Sequence, residues 1–496
     1  MSYNNNSRRE FLRKLACVAC GGGTAAMIPQ LRMMGTALAS TQALTGYKAL
    51  VCVYLSGGND GWNLLVPYDN TRYNIYANAR SGVYTTGGAN PNPGGLGLAQ
   101  PASGNAQIVT DLNDASSATN QYFFHPSAPE LASLFKAQHL AMAVNVGSLV
   151  KPINKTDYNA SAANRPPQLF SHSDQENLWH QANTSGSSAL GWGGQCGDLL
   201  QPNNANQMLS SCISIAGANR FEVGVSTVPY QLSSGGLTGL SGVCNPSPCT
   251  GISTTSVRDN ALKGMLTDTY ANDFPGEYSK VFKRGRDLYN LLSAGLGGTM
   301  VPSFPANNSL ASQLQMVAKM IKLSKAQNYA QRQIYYVRYG GFDLHAGLMS
   351  GNGNHGQLLQ AVSQAMNAFY TAMGTGTNGV NALNEVTLFT ASEFGRTLQS
   401  NGSGSDHGWG SMQMVLGGAV QGGRLYSDGG GPIKGFPDQS LTATNSFSRG
   451  QMIPGVGVEQ YAATLAKWLG VTNQSDLNTI FPNLANFGTG GNLNFV

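Results

Sequence analysis

The segment YGGFDLHAGLMSGNGNH, residues 339–355, concentrates titratable side chains that are scarce elsewhere in the chain. It holds Asp343, His345 and His355 among five Gly, in a chain with seven His in all. The segment follows an apolar, β-rich run, and Gly lets the chain turn tightly after a strand. Carboxylates and imidazoles together are the ligands of zinc and similar divalent ions. We therefore expect a metal site here, with further ligands from other parts of the chain.

Three more segments carry such side chains beside predicted strands. Asp60 lies in LSGGNDGWN, Glu393 in FTASEFGRT, and Asp406 with His407 in NGSGSDHGWGS. Residues at the carboxyl ends of strands in an α/β sheet meet at one edge although they are far apart in sequence. Imidazole donors favour zinc or manganese, whereas carboxylates alone suit calcium. The predicted ligand set is Asp60, Asp343, His345, His355, Glu393, Asp406 and His407.

The segment RPPQLFSHSDQENLWH, residues 165–180, offers a nucleophile for a metal-assisted reaction. Ser171 precedes a predicted helix, whose N-terminus would stabilise an alkoxide and bind an anion. Ser171, Ser173 and Asp174 are equally suited to be ordinary helix N-caps. His172 is a second candidate participant, with a structural role as its alternative.

The elements that must position these residues alternate along the chain. Apolar β-rich runs predict strands at 48–55, 139–147, 333–339, 385–392 and 412–418. Apolar residues at helical spacing predict helices over 309–326 and 355–373. The order strand, helix, strand from 333 to 392 is a β-α-β unit, which favours a mostly parallel α/β sheet flanked by helices.

The N-terminal residues are expected to be a targeting segment. They contain Arg8 and Arg9, a Gly/Ala-rich run, and Ala37-Leu38-Ala39, which resembles a twin-arginine export signal over residues 1–39. Its removal takes away five basic and one acidic side chain and lowers the formal net charge from +5 to +1. A nearly neutral mature chain excludes the basic footprint of nucleic-acid binding, and no later segment is apolar enough to span a membrane. We expect a periplasmic or extracellular protein whose export partner is the twin-arginine translocase.

Five Cys remain after residue 39. Cys52 lies in an apolar run and is predicted to be buried. Cys244 and Cys249, in CNPSPC, would close a short disulfide in an oxidising compartment, and Cys196 with Cys212 is a second candidate pair. The mature length exceeds the usual size of a single core. This length predicts either two domains or one large α/β domain with insertions. We assign one α/β domain over 48–490, with 200–300 as an inserted or cap region.

The ordered motifs resemble a known family. LSGGNDGWNLLVPY, FSHSDQENLW, GGFDLHAG followed by HGQLLQAV, SEFGRT and DHGWG together resemble the large bacterial family of twin-arginine-exported proteins of unknown function in the alkaline phosphatase and sulfatase superfamily. The resemblance runs from about residue 48 to about 470. It implies an alkaline phosphatase-like central sheet flanked by helices, with inserted loops.

The resemblance also implies roles for particular residues. Asp60 matches the first metal ligand, Ser171 the nucleophile, Asp343 with His345 or His355 the third ligand group, and Glu393 a late-strand ligand. Where the superfamily often has His or Asn, this chain has Phe394, which cannot bind a metal. Asp406 and His407 would then supply the missing imidazole, or the second of two ions is absent. Arg396 would clamp the oxygens of a phosphate or sulfate, with a surface ion pair as its alternative.

Two functions follow from these expectations. The first is an exported hydrolase that uses one or two divalent ions, zinc or manganese before calcium, and Ser171 to cleave phosphate or sulfate esters of small molecules or polysaccharides. The second is a catalytically inactive periplasmic or cell-surface protein that uses the same fold for binding or assembly. Phe394 is the feature that favours the second.

Overall fold

The apolar run Lys48–Leu55 forms the middle strand of the central sheet, β1, and every residue after Lys48 is buried. Burial on both faces explains why the run does not alternate with polar residues. The structure is a computed structural model that describes residues 44–85, 94–114, 119–184, 188–247, 253–268, 273–427 and 436–496. The predicted signal at 1–39 lies outside these residues.

The strands that follow β1 are short except for those near the centre of the sheet. They are β2 Leu65–Pro67, β3 Ile108–Thr110, β4 Gln121–Phe124, β5 Leu140–Gly147, β6 Cys212–Ser214, β7 Tyr230–Gln231, β8 Arg332–Tyr339, β9 Val386–Ala391, β10 Ser411–Leu416, β11 Leu425–Tyr426, β12 Ser446–Phe447, β13 Gln451–Met452 and β14 Val456–Gly457.

The α-helices lie mainly between these strands. They are α1 Asn70–Ala79, α2 Pro129–Lys136, α3 Lys155–Ala160, α4 His172–Gln181, α5 Trp192–Leu200, α6 Thr254–Thr267, α7 Asp273–Leu296, α8 Ser309–Ala326, α9 His355–Met373, α10 Val458–Leu469 and α11 Gln474–Ile480. The predicted helices over 309–326 and 355–373 are confirmed as α8 and α9.

The central sheet has the order β11-β5-β10-β9-β1-β8-β6-β7, and β14 pairs with β5. β1 pairs in parallel with β8 and β9. Among the described strands of this sheet only β10 runs against the others, since it is antiparallel to both β9 and β5. The predicted class, an α/β fold with a mostly parallel central sheet flanked by helices, is confirmed.

The direction of β10 has a consequence for one predicted strand end. Asp406 and His407 come before β10, whereas the sequence argument for convergence relied on residues at the carboxyl ends of strands. Because β10 is antiparallel, its first residue, Ser411, lies at the edge of the sheet where β9 ends. Asp406 and His407 therefore lie at the expected edge of the sheet, although they precede their strand instead of following one.

Two apolar layers cover the sheet. Leu314 and Val317 of α8 and Val362 and Met366 of α9 belong to one buried cluster, as their helical spacing predicts. Trp179 of α4 and helices α5, α10 and α11 form the cluster on the other face. Helix packing on both faces is what a mostly parallel sheet requires.

The segment 200–300 contributes to the sheet before it forms helices. β6 and β7 extend the edge beyond β8, and α6 and α7 follow. The assignment of this segment as a cap stays a prediction, as do the domain bounds 48–490. None of the described helices is long and apolar enough to cross a membrane.

The cysteines partly follow expectation. Cys52 is buried, as predicted, and Cys196 and Cys212 are buried free thiols, so their predicted pairing is wrong. Both sulfurs pack inside the apolar layer that contains α5. Cys244 is in a disulfide, and its predicted partner Cys249 lies outside the described residues.

Candidate metal centre

Four side chains meet at the edge where β8 and β9 end and β10 begins. Asp343 and His345 follow β8, His407 precedes β10, and His172 is the first residue of α4. The connection after β1 permits this convergence, because a Cβ on Gly57 would lie only 2.4 Å from the backbone nitrogen of Asp343.

The donor atoms of these side chains surround the carboxylate of Asp343. Its Oδ1 lies 3.2 Å from Nε2 of His345 and 3.3 Å from Nε2 of His407. The two Nε2 atoms are 3.0 Å apart, and Nε2 of His172 is 3.4 Å from Oδ2 of Asp343. Donor atoms of His172, Asp343 and His407 all lie within 4.8 Å of one another.

Each imidazole has an acceptor on its opposite side. Nδ1 of His172 lies 2.8 Å from Oε1 of Glu393, and Nδ1 of His345 lies 3.2 Å from Oδ1 of Asp406. Nδ1 of His407 lies 2.7 Å from the carbonyl oxygen of Phe170. These acceptors assign the proton to Nδ1 in each neutral ring. All three Nε2 lone pairs then face the centre, which is the arrangement that orients histidine ligands in metalloproteins.

The donor set fits a divalent ion. In a tetrahedral zinc site with bonds of about 2.0–2.1 Å, neighbouring donor atoms are about 3.3–3.4 Å apart, close to the separations around Asp343. Nε2 of His172 is shielded from solvent and has no hydrogen-bond partner among the described residues, so a cation would satisfy it. Three imidazoles with one carboxylate suit zinc or manganese better than calcium.

The charges around the centre adjust the basicity of its ligands. The hydrogen bond to Glu393 raises the pKa of His172. Burial acts to raise the pKa of Asp343, but the hydrogen bond and charge of Arg396 outweigh it, so this pKa is lowered. Burial lowers the pKa of His407. Asp343 is therefore ionised and His407 neutral at pH 7, as metal ligands must be.

Phe394 packs directly against the centre. Its ring centroid lies 4.8 Å from that of His172 and 4.5 Å from that of His407. Gly58 allows this position, since a Cβ there would come within 2.6 Å of the Phe394 ring. The residue that cannot bind a metal thus holds two imidazoles in place.

Glu393 and Asp406, which the sequence predicted as ligands, contact histidine rings of the centre and lie outside the donor set around Asp343. Both oxygens of the buried Glu393 have partners, since Oε1 also accepts from the Gly57 amide and Oε2 accepts from Tyr54. Asp406 forms an ion pair with Arg449 and contacts Nδ1 of His345. Each carboxylate thus contacts Nδ1 of a histidine whose Nε2 faces Asp343.

Asp60 and His355 lie outside the donor set, which differs from the prediction. Asp60 is buried and forms an ion pair with the buried Arg80. Asn354 caps α9, so His355 begins the helix and turns its ring into the core, where Nε2 lies 3.0 Å from Oδ1 of Asn59. Burial lowers the pKa of His355 to about 3, which keeps it neutral without a metal.

Arg396 differs from its predicted role as a substrate clamp. Its side chain is fully buried and forms an ion pair with Asp343. The remaining donors go to the carbonyl oxygens of Gly57, Gly58, Phe342 and Ser405. A guanidinium with these partners fixes the Asp343 loop and has no free edge for a substrate.

Ser171 is the N-cap residue of α4, but its hydroxyl makes no capping hydrogen bond to the helix. Instead Oγ donates to Oδ2 of Asp174 at 2.6 Å. A serine hydroxyl paired with a carboxylate beside a metal ligand has a base within reach. The predicted nucleophile is thus next to the centre in sequence, through His172.

Comparison with known proteins yields little about the reaction. No curated protein matches the chain. A crystal structure of Ps i-CgsB in complex with k-i-k-neocarrahexaose is similar over 89% of this chain and 77% of that chain, at 10% identity and a TM-score of 0.31; so weak a likeness carries no argument. Residues 313–431 match the family model of a protein of unknown function, DUF1501. The segment that supplies Asp343, His345 and His407 is therefore similar to a domain of unknown function.

Proposed function

We propose that the protein is an exported, metal-dependent hydrolase of phosphate or sulfate esters with Ser171 as its nucleophile. One observation carries the proposal: three histidine Nε2 atoms face the carboxylate of Asp343 while each Nδ1 faces an acceptor. Histidine ligands of metal ions have this orientation, with Nδ1 held by an acceptor and Nε2 turned towards the ion. A cation beside Asp343 would also satisfy Nε2 of His172, which is shielded from solvent and has no hydrogen-bond partner among the described residues.

His172, Asp343, His345 and His407 would hold one zinc or manganese ion. When bound, the ion supplies positive charge beside the phosphoryl or sulfuryl oxygens of the ester. The side chains of Asp343 and His345 are each 46% exposed, so the centre is open to a substrate. The motifs of the alkaline phosphatase and sulfatase superfamily support the same reaction class.

The residues beside the centre supply the proton transfer and the attack. Oγ of Ser171 passes its proton to Oδ2 of Asp174, attacks phosphorus or sulfur, and forms an ester bond as the bond to the alcohol oxygen breaks. The alcohol leaves with a proton from solvent, and water then hydrolyses the serine ester. The ten-residue helix α4 begins at His172, and its N-terminal amides favour the anion.

Export is supported by the arginine pair at residues 8 and 9 and the small residues that end at Ala39. The twin-arginine translocase carries folded proteins, which allows the ion to be bound before export. The protein would then act in the periplasm or outside the cell.

Elemental analysis of the natively exported protein tests the centre. We expect about one zinc or manganese per chain, and a loss of most of it in Asp343→Asn, which removes the negative charge of the carboxylate, and in His407→Ala, which removes an imidazole nitrogen. His139→Ala is the matched control, since His139 stacks on Tyr370 away from the centre. Retention of full metal content by both ligand variants would show that the ligand set is wrong.

Turnover of 4-nitrophenyl phosphate and 4-nitrophenyl sulfate tests the reaction. We expect hydrolysis of one ester that a chelator abolishes, and a fall of at least about 10³-fold in kcat for Ser171→Ala. A metal-loaded protein that hydrolyses neither ester, and whose Ser171→Ala variant keeps its biological role, would instead be the inactive binding or assembly protein.

A further inference from the structure

Gln175 is a buried polar side chain of α4 that contacts the loop before the helix. It is 1% exposed, and its Nε2 donates to the carbonyl oxygens of Pro167 at 3.0 Å and Gln168 at 3.1 Å. Its Oε1 accepts from Oγ of Ser148 at 2.6 Å. Two acceptors on one side and a hydroxyl donor on the other fix the orientation of the amide. The side chain therefore ties the loop 165–170 to α4 and to the residue that follows β5.

The loop 165–170 has a backbone that needs such support. Gln168 has φ 50° and Phe170 has φ 72°, in the left-handed region that residues other than Gly seldom adopt. Such residues keep this conformation only where surrounding contacts hold it. The carbonyl oxygen of Gln168 also accepts from the amide of Ser171 at 3.2 Å. Gln175 thus binds the same carbonyl oxygen as the backbone of the proposed nucleophile.

The same loop contacts the metal centre at its other end. The carbonyl oxygen of Phe170 accepts from Nδ1 of His407 at 2.7 Å. Two residues after His407, Nε1 of the buried Trp409 donates to the carbonyl oxygen of Ser148 at 2.8 Å. The segment that carries His407 is therefore held at two points, by Phe170 and by Ser148. Gln175 joins these two points, because it accepts from Ser148 and donates to the loop.

We propose that Gln175 is a positioning residue of the metal centre. It holds the loop 165–170 so that the carbonyl oxygen of Phe170 faces Nδ1 of His407 and Ser171 lies beside the centre. A backbone carbonyl can orient a histidine ligand only while its own loop is fixed, and partners of this kind affect metal affinity strongly. The inference rests on the proposed function, because it assigns Gln175 a role towards one metal ligand and the nucleophile.

Gln175→Met tests this role, because methionine has a similar length and volume but cannot donate to the loop. We expect the affinity for Co²⁺, measured by competition with a chelator, to fall about 10–100-fold. The visible absorption spectrum of the Co²⁺-loaded protein should also change, since it reports the geometry of the ligands. Gln181→Met is the matched control. Gln181 is a buried glutamine at the other end of α4 whose Oε1 accepts from the amide of Ser188, so this variant should keep the affinity and the spectrum.

Ser148→Ala tests the same network without changing Gln175. It removes the donor to Oε1 of Gln175 and keeps the carbonyl oxygen that accepts from Trp409. We expect a smaller fall in Co²⁺ affinity, and a double variant that binds no more weakly than Gln175→Met, because residues of one network do not act additively. Wild-type affinity and spectrum in Gln175→Met, with folding verified by thermal unfolding, or additive losses in the double variant, would overturn the inference. If Gln175→Met does not fold, wild-type affinity in Ser148→Ala would overturn it.

Hydrolysis of the 4-nitrophenyl esters is a separate readout. At saturating metal, Gln175→Met should lose at least about tenfold in kcat with little change in KM, because Ser171 is displaced, and Gln181→Met should keep the wild-type kcat. An unchanged kcat in Gln175→Met would overturn the role towards Ser171.

The wild type distinguishes a failure of this inference from a failure of the proposed function. A wild type that binds metal but hydrolyses neither ester would refute the proposed reaction alone, and a lower metal affinity of Gln175→Met would still support the role towards His407. A wild type that binds no metal would refute both.

Discussion

Glu393 determines how the imidazole of His172 is presented to the centre. Its Oε1 accepts from Nδ1 of that ring and from the Gly57 amide, each at 2.8 Å. In Glu393→Gln the neutral amide is a weaker acceptor and His172 becomes less basic. We expect metal affinity to fall about 10–100-fold, measured by competition with a chelator.

The matched control for that substitution is Glu385→Gln. Glu385 is paired with Lys325 and does not contact the centre, so the variant should bind metal as tightly as the wild type. If Glu393→Gln also kept full affinity, Glu393 would have no role in orienting His172. Circular dichroism of Glu393→Gln verifies that a fall in metal affinity does not come from a general loss of folded structure.

At the residue scale the sequence indicated which side chains lie close together better than it indicated their individual contacts. Asp343, His345 and His407 follow from residue type and position beside strands. The sequence could not predict that Glu393 contacts Nδ1 of His172 and lies outside the donor set. That position depends on which nitrogen of an imidazole a carboxylate contacts, and residue type does not show this. The role of Phe170 had no signal at all, since its carbonyl is common to every residue and its conformation is set by the fold.

At the scale of elements, the connection from β1 determines how closely the Asp343 loop can approach. Gly57 has φ 119°, and a Cβ there would lie 2.4 Å from the nitrogen of Asp343. Gly57→Ala must therefore displace that loop. We expect a loss of at least about 1–3 kcal/mol in unfolding free energy and most of the bound metal, measured by denaturant unfolding and elemental analysis.

Gly46→Ala is the control that separates the effect of backbone strain from the effect of the close contact between residue 57 and the Asp343 loop. Gly46 also has a positive φ, 66°, but a Cβ there meets nothing within 4 Å. The control should lose about 1 kcal/mol and keep its metal. Equal metal content in the two variants would contradict the idea that the Gly57 connection positions Asp343.

The longer strands of the central sheet and two long helices were predictable. The helices over 309–326 and 355–373 have the expected bounds, because an apolar stripe and an N-cap asparagine mark each one. The pairing of strands was not predictable to the same degree. β10 is antiparallel within a parallel sheet, and a six-residue apolar run carries no information on its direction.

At the scale of the whole molecule, buried titratable groups make stability depend on pH in two opposing ways. Burial lowers the pKa of His125, His180 and His355 to about 3. They bind protons more readily when unfolded, so stability falls as pH drops below about 6.5. Burial raises the pKa of Glu222 from 4.5 to about 8. Glu222 holds its proton more firmly in the folded state. The stability that its protonated form contributes is therefore lost as pH rises from about 4.5 to about 8.

Glu222→Gln removes the second trend alone. The glutamine can still accept from Nδ2 of Asn219, which donates to Oε2 of Glu222 at 2.8 Å, and it has no charge to bury. We expect the variant to match the wild type near pH 5 and to be more stable at pH 8, with a difference that grows by at most about 1.4 kcal/mol per pH unit. Midpoints of thermal unfolding between pH 5 and 9 measure this. Glu385→Gln should follow the wild-type curve, and a Glu222→Gln curve parallel to it would mean that Glu222 is ionised in the folded protein at neutral pH.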